Sequence, residues 1–249
     1  MVNLIRAELL KLLGLPTAWV GLALGTLVAP LLTLLNAGPV QAAIEDGSYG
    51  STADLAYNSI QIGMLGAVIL GVVVVSSEYT PTGEDSPDGR QLITTLLAAP
   101  RRPRLIAAKG IALTLVVAVQ GTITAVVTLL LVEAEHGGFH PVAEPLRVAA
   151  AVLDWMLLGL LSYALTLIFR NGIVTLTLLI VNASVVSVSW LLMKVTPLGA
   201  YLPDIVGKHM YLSEFGDVRI HPVTAGLVML AWVAGLLALA VRVSQRRQA

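Results

Sequence analysis

Long unbroken stretches of apolar residues alternate with short polar ones along this chain. Six stretches reach the roughly 20 residues needed to cross a bilayer's hydrocarbon core: about 16–36, 59–77, 105–132, 146–169, 173–193 and 223–242. The third exceeds the needed length and is expected to tilt or protrude. Only "RNG" separates the fourth from the fifth, which predicts an antiparallel helical hairpin. Two shorter stretches show helical periodicity with one apolar face. In residues 2–13, Leu4, Ile5, Leu9 and Leu12 share a face, with Arg6, Glu8 and Lys11 expected elsewhere. In "RQLITTLLAA", Leu92, Ile93, Leu96 and Leu97 share a face, away from Arg90, Thr94 and Thr95. Pro100 ends that second helix, because the residue before a proline is pushed out of the helical region. Short outer helices broken at Pro197 and Pro203 are expected within 194–222, dipping into the outer leaflet. The predicted fold is an all-α membrane protein of one transmembrane domain over 1–249. It has an N-terminal amphipathic helix, six spans, and a cytoplasmic helix between spans two and three.

Composition supports this. Hydrophobic residues make up 57% of the chain and charged ones 12%, about half the charge of a soluble domain. With 15 cations and 15 carboxylates the net charge is zero, so bulk charge says nothing about nucleic acid; no nucleic-acid partner is expected. The absence of cysteine removes disulfides, thiolate catalysis and cysteine metal sites. The N-terminus carries Arg6, Glu8 and Lys11 among its apolar residues and no small-residue cleavage site, so the first span reads as a retained anchor.

The distribution of cations sets orientation. An even number of spans places both termini on one side. That side holds Arg6, Lys11, Arg90, Arg101, Arg102, Arg104, Lys109, Arg170, Arg242, Arg246 and Arg247, against Arg147, Lys194, Lys208 and Arg219 on the other. Both termini are therefore expected in the cytoplasm. Residues 78–104 are then the one substantial cytoplasmic loop, turn-rich and acidic at first, amphipathic and basic afterwards. Its helix can lie on lipid, dock into a groove on a soluble partner, or pack beneath its own bundle.

Candidate chemistry is sparse. There is no G-x-x-x-x-G-K-[ST] phosphate cradle, no H-E-x-x-H and no G-x-S-x-G. No enzymatic activity, metal or cofactor of this chain's own is expected. His136 and His140, near Glu133, Glu135 and Glu144, read as part of a solvated acidic loop rather than a zinc site. Asp154, inside span four, costs about 2.5–3.5 kcal/mol on insertion scales and must face the bundle interior or water. Gln120 and Asn182 are its expected partners. The stripes Thr175, Asn182, Ser189 and Thr114, Gly121, Thr124, Thr128 mark helix contacts or a translocation lining. Candidate pathway residues are Gln120, Asp154, Asn182 and Ser189. Gly21, Gly25, Gly63, Ala67 and Gly71 permit close helix crossing, within the chain or at a dimer seam.

"SSEY" closing span two, then "GRQLITTLLAAPRRPRLIAAKG", resembles the cytoplasmic loop of ABC-2-type exporter permeases. Glu78, Tyr79, Thr95, Leu96, Leu97, Ala98, Pro100, Arg101, Arg102 and Lys109 carry the likeness. "IRAELLKLLGLPTAW" and "YLPDIVG" are similar to that family's N-terminal helix and outer segment. The resemblance implies a permease that pairs with a second copy and with a cytoplasmic ATP-binding-cassette ATPase, which holds the ATP and Mg. It also implies coupling through Glu78, Arg90, Leu92, Ile93, Leu96, Leu97, Arg101 and Arg102, in a bacterial plasma membrane. The expected function is export of an amphipathic or hydrophobic substrate, such as an antimicrobial peptide or drug. The alternatives are a proton-coupled secondary transporter using Asp154, or a non-transporting membrane scaffold or sensor.

Overall fold

A computed structural model describes residues 1–49, 52–77, 102–136, 144–183, 187–213, 215–216 and 218–246. Among these every regular element is helical. Helix α1 (Val2–Gly14) stops at Leu15, whose backbone is extended, and Pro16 opens α2 (Pro16–Glu45). Proline at a first helical position loses no hydrogen bond and arrives with its φ already set. Trp19 Nε1 donates to Leu13 O at 2.9 Å across this corner.

A short 3-10 turn, Thr52–Asp54, leads into α3 (Leu55–Gly63) and α4 (Leu65–Ser76), which together make one apolar passage. Helix α5 (Arg102–His136) has 35 residues, about 52 Å at 1.5 Å per residue. It overreaches the hydrocarbon core, as its sequence predicts. Helix α6 (Pro145–Phe169) ends at Arg170, whose φ of 54° reverses the chain. Asn171 Oδ1 then accepts the N–H groups of Ile173 and Val174, starting α7 (Gly172–Ala183). The hairpin expected at "RNG" is present.

The fifth expected span is not a single helix. Helix α7 ends at Ala183, and α8 (Val188–Val195) begins afresh at Ser187, which is extended and accepts the N–H of Trp190 through its Oγ. Ser187 explains the new start, because serine competes for backbone donors and favours caps. Among the described residues five helical passages are long and apolar enough to span a bilayer: Pro16–Glu45, Thr52–Ser76, Pro103–His136, Pro145–Phe169 and Pro222–Arg246. The last of these is α10.

Between α8 and α10 the chain makes a 3-10 turn at Pro197–Tyr201, helix α9 (Pro203–Val206) and another 3-10 turn at Gly207–Met210. Pro197 and Pro203 each start a short helix rather than break one.

The core is shared by α3–α4 (Tyr57, Ile60, Leu70), α5 (Leu113, Val117), α6 (Trp155, Tyr163), the outer segment (Val206, Tyr211) and α10 (Met229). Large apolar side chains also cover the outside, as with Leu115, Val119, Ile123 and Leu130 along α5. Such an apolar exterior suits lipid, not water. Close crossings depend on glycine. A Cβ on Gly66 would run into the backbone of Gly25 and Gly21, and one on Gly71 into Ser162 and Gly159. The small-residue stripes therefore join α2 to α4 and α4 to α6 inside one chain.

Candidate functional site

Polar side chains inside the bundle gather at three levels. At the end where both α1 and the start of α5 lie, Lys109 Nζ donates to Glu8 Oε2 at 2.8 Å, with both side chains buried. Tyr163 Oη donates to Ile106 O at 2.9 Å, tying α6 to the same foot, and Gly172 packs on Ser76 and Val72. Glu8 thus belongs to the buried face of α1, not to the polar face its spacing suggested. Lys109 does not face water. The adjoining cavity is only ≈ 10 Å³, too small for more than a single water.

This foot lies where chain 78–101 leaves and rejoins the bundle. The expected coupling residues Glu78, Arg90, Leu92, Ile93, Leu96, Leu97 and Arg101 lie outside the described residues. Arg102 opens α5, and only its backbone is described.

At mid-depth, Gln120 Nε2 donates to Gly21 O (3.0 Å) and Leu22 O (3.1 Å), and Thr124 Oγ1 donates to Gly25 O (3.0 Å). Both side chains are buried. They bond α5 to α2 through carbonyls that the glycines bring within reach. On the α5 stripe Thr124 reaches α2 and Gly121 packs on Trp155. Asn182 Nδ2 donates to Ser189 Oγ at 3.3 Å, bridging α7 and α8. Neither Gln120 nor Asn182 pairs with Asp154, which corrects the expected pairing. Each is engaged on its own side of the bundle.

At the outer level, Arg147 at the start of α6 donates to Asp54, to Ala53 O (2.9 Å) and to Tyr211 O, with its guanidinium 4.2 Å from the Tyr57 ring centroid. Asp54 also accepts the N–H of Ser213 through both carboxylate oxygens, at 3.0 and 2.9 Å. Arginine suits this place because its planar fork serves several acceptors at once. One knot therefore holds the start of α3, the start of α6 and the end of the outer segment.

Asp154 is 1% exposed. Its Oδ1 has no hydrogen-bond partner and packs against the backbone of Gly207. Lys208 follows; burial lowers its pKa, while the charges of Asp204 and Asp154 favour its ammonium form. Burial also lowers the pKa of His209. It raises that of Tyr211 well above the usual phenol, with Asp154's charge adding. Ser187 Oγ donates to Asp204 Oδ2 at 3.2 Å. Beside the outer segment, a groove of ≈ 1130 Å³ runs between α6 and α10, walled by Leu153, Leu227 and Leu230 and reaching His209 and Arg219.

His136 Nδ1 meets Gln41 Oε1 at 2.9 Å, joining α5 to α2. His140 lies outside the described residues. Among the described residues no three His, Asp or Glu side chains gather as metal ligands would.

An apolar exterior, several membrane-length helices and an interior whose charges face one another define a multi-pass helical membrane protein. Residues 4–190 match the family model described as "ABC-2 family transporter protein", and the chain belongs to that family of membrane permeases. No curated protein matches the chain. The matched stretch takes in α1 to α7 and the start of α8. The outer segment and α10 lie beyond it but are built into the same core through Tyr211 and Met229.

Sequence reasoning put Glu8 on the wrong face of its helix and passed over the Asp54–Arg147 knot, Ser187, and the approach of Gly207 to Asp154. Only Ser187 had a local signal, a serine directly before the first residue of a helix. The others depend on contacts between residues far apart in the chain.

Proposed function

We propose that this chain is the permease subunit of an ATP-driven exporter, with hydrolysis on a separate cytoplasmic ATPase of the ATP-binding-cassette type. The observation that carries this reading is the family match across α1 to the start of α8. The lack of a phosphate-cradling motif in the chain agrees with nucleotide being held elsewhere. Segment 90–99 is the docking element, with Leu92, Ile93, Leu96 and Leu97 entering the ATPase and Arg90, Arg101, Arg102 and Glu78 framing them. Movement of that segment reaches the bundle at the foot, where Glu8 and Lys109 bind α1 to α5. A second permease copy completes the route. The termini lie in the cytoplasm of a bacterial cell, and α7 with α8 supplies a sixth, broken passage. The cargo is amphipathic or apolar.

Co-expression with the ATPase encoded beside this chain tests the reading. Joint purification, weakened by Leu96→Asp, is the expected result. A chain that transports without any ATPase, or persists in ATP-depleted vesicles but stops in Asp154→Asn, would instead be ion-coupled.

A further inference from the structure

We infer that the groove between α6 and α10 holds one phosphatidylethanolamine, with its headgroup between Glu144 and Arg219 and an acyl chain lying along the groove. The inference does not rest on the transport reading above; only the choice of the outer leaflet follows from the orientation of the chain.

Small residues give the groove its room. Ala149 and Ala150 line it on α6 and Gly226 on α10, where the two helices pack together. A Cβ on Gly226 would meet only the tip of Met210, at 3.5 Å, so no backbone lies against it there. The volume of ≈ 1130 Å³ stands at the top of the roughly 300–1,000 Å³ range of small-molecule sites.

Its depth suits one leaflet. Along α10 the lining runs from Pro222 to Leu230, about 12 Å at 1.5 Å per residue. One leaflet's share of a hydrocarbon core of about 30 Å is about 15 Å. On α6 the lining descends from Leu146, in the first turn, to Leu153. The groove therefore starts at headgroup level and follows a chain toward the midplane. Leu146, Val223 and Leu227 are exposed along it, so its long side opens to lipid rather than water. A helix from another chain, about 10–12 Å across, is too broad for a cleft between two helices in contact; an acyl chain is not.

The mouth carries both signs of charge. Glu144 directly precedes α6 and Arg219 closely precedes α10, and both line the groove. Both are exposed, and among the described residues neither side chain forms an ion pair or hydrogen bond. Arg147 beside them is already committed to Asp54. An unpaired cation and an unpaired anion at one mouth match a headgroup that carries a phosphate and a primary ammonium. The guanidinium fork takes the phosphate oxygens, and the ammonium donates to the carboxylate. A choline headgroup has no N–H to give. A glycerol headgroup has no cation at all and sets a net negative lipid against Glu144.

The full chain, delipidated in detergent, is titrated with dioleoyl phosphatidylethanolamine and read by native mass spectrometry. One molecule per chain should bind tightly, ahead of phosphatidylcholine, phosphatidylglycerol and diacylglycerol with the same chains. Arg219→Gln should weaken it about tenfold, the scale of one hydrogen bond to a charged group. Glu144→Gln should abolish the preference over phosphatidylglycerol. Both residues are exposed, so neither change threatens the fold, and Arg246→Gln at the far end of α10 should alter nothing. An ethanolamine lipid with a photoreactive acyl chain should crosslink within 146–153 and 223–230, and Ala149→Phe, which fills the groove, should abolish that product. Equal affinity for the three phospholipids, indifference to Arg219→Gln and Glu144→Gln, or crosslinks spread around the bundle would each overturn the proposal. Diacylglycerol binding as tightly would make the groove a site for apolar cargo and overturn it too. So would a dimer that Ala149→Phe weakens without any lipid dependence, which would mark the groove as a contact between copies. Loss of ATPase association would remove the transport reading and leave this result standing.

Discussion

Lys109 Nζ lies 2.8 Å from Glu8 Oε2, and the two residues are 101 positions apart. The pair joins the N-terminal helix α1 to the first turns of α5, directly after the segment proposed to meet the ATPase. Removing one partner breaks a buried ion pair, a loss of about 3–5 kcal/mol. Glu8→Leu and Lys109→Leu should each lower stability by that order in denaturant titrations of the detergent-solubilised protein. The double replacement should recover most of it. If the double variant is stable yet its ATPase runs without transport, the pair carries motion as well as stability.

Gly66 gives a steric prediction. Its missing Cβ lets α4 lie against the backbone of Gly21 and Gly25 on α2, and backbone cannot step aside as a flexible side chain can. Gly66→Ala should therefore cost about 1–3 kcal/mol, the usual range for overpacking. Gly235→Ala on α10 meets nothing within 4 Å and should be neutral or slightly stabilising. Equal melting shifts for the two would contradict the close crossing.

Arg147 is predicted to resist even conservative replacement. A lysine keeps the charge but cannot serve Asp54, Ala53 O and Tyr211 O together while lying flat over Tyr57. Arg147→Lys should destabilise by about 1–3 kcal/mol, since buried acceptors lose their donors. Arg147→Ala should cost more, as Asp54 loses its counter-charge. Proteolysis between α8 and α10 should rise in the same order.

His209 supplies a pH dependence. Burial lowers its pKa below the ordinary 6.5, so below pH 6.5 the unfolded chain binds a proton that the folded chain refuses. Stability falls as pH drops from about 6.5 toward the depressed folded value, and is fully present above 6.5. His209→Gln should flatten that part of the stability profile relative to the parent. An unchanged slope between pH 7 and 5 would show that other groups set it.

Ser187 begins α8 and also donates to Asp204. Ser187→Ala should cost about 1 kcal/mol for the lost cap, with a further loss from Asp204. Ser187→Asp should restore the cap yet repel Asp204. A double-mutant cycle with Asp204→Asn separates the two contributions.

Much of this architecture was legible along the chain because lipid imposes a simple rule. A helix that satisfies its own backbone and shows apolar side chains outward needs no partner to be recognised. Spans one, two, three, four and six and the "RNG" hairpin could be placed on that basis. The break between α7 and α8 was missed because hydropathy sums apolar character and ignores caps; Ser187, set among valines, does not interrupt that sum. Glu8 was misplaced because the period of a helix shows which residues share a face, not which face is buried.

The sequence by itself determined the class of the protein, the place of five of its apolar passages, and the residues too costly to leave in lipid unpaired. The tertiary structure decided how those residues are compensated. Asp154 packs against Gly207, Gln120 serves the carbonyls of α2, and Glu8 finds Lys109. The reason is physical: transfer into lipid is a property of each segment alone, whereas pairing depends on how close two helices can come. Small residues at their crossings set that distance, and it exists only once the bundle has formed.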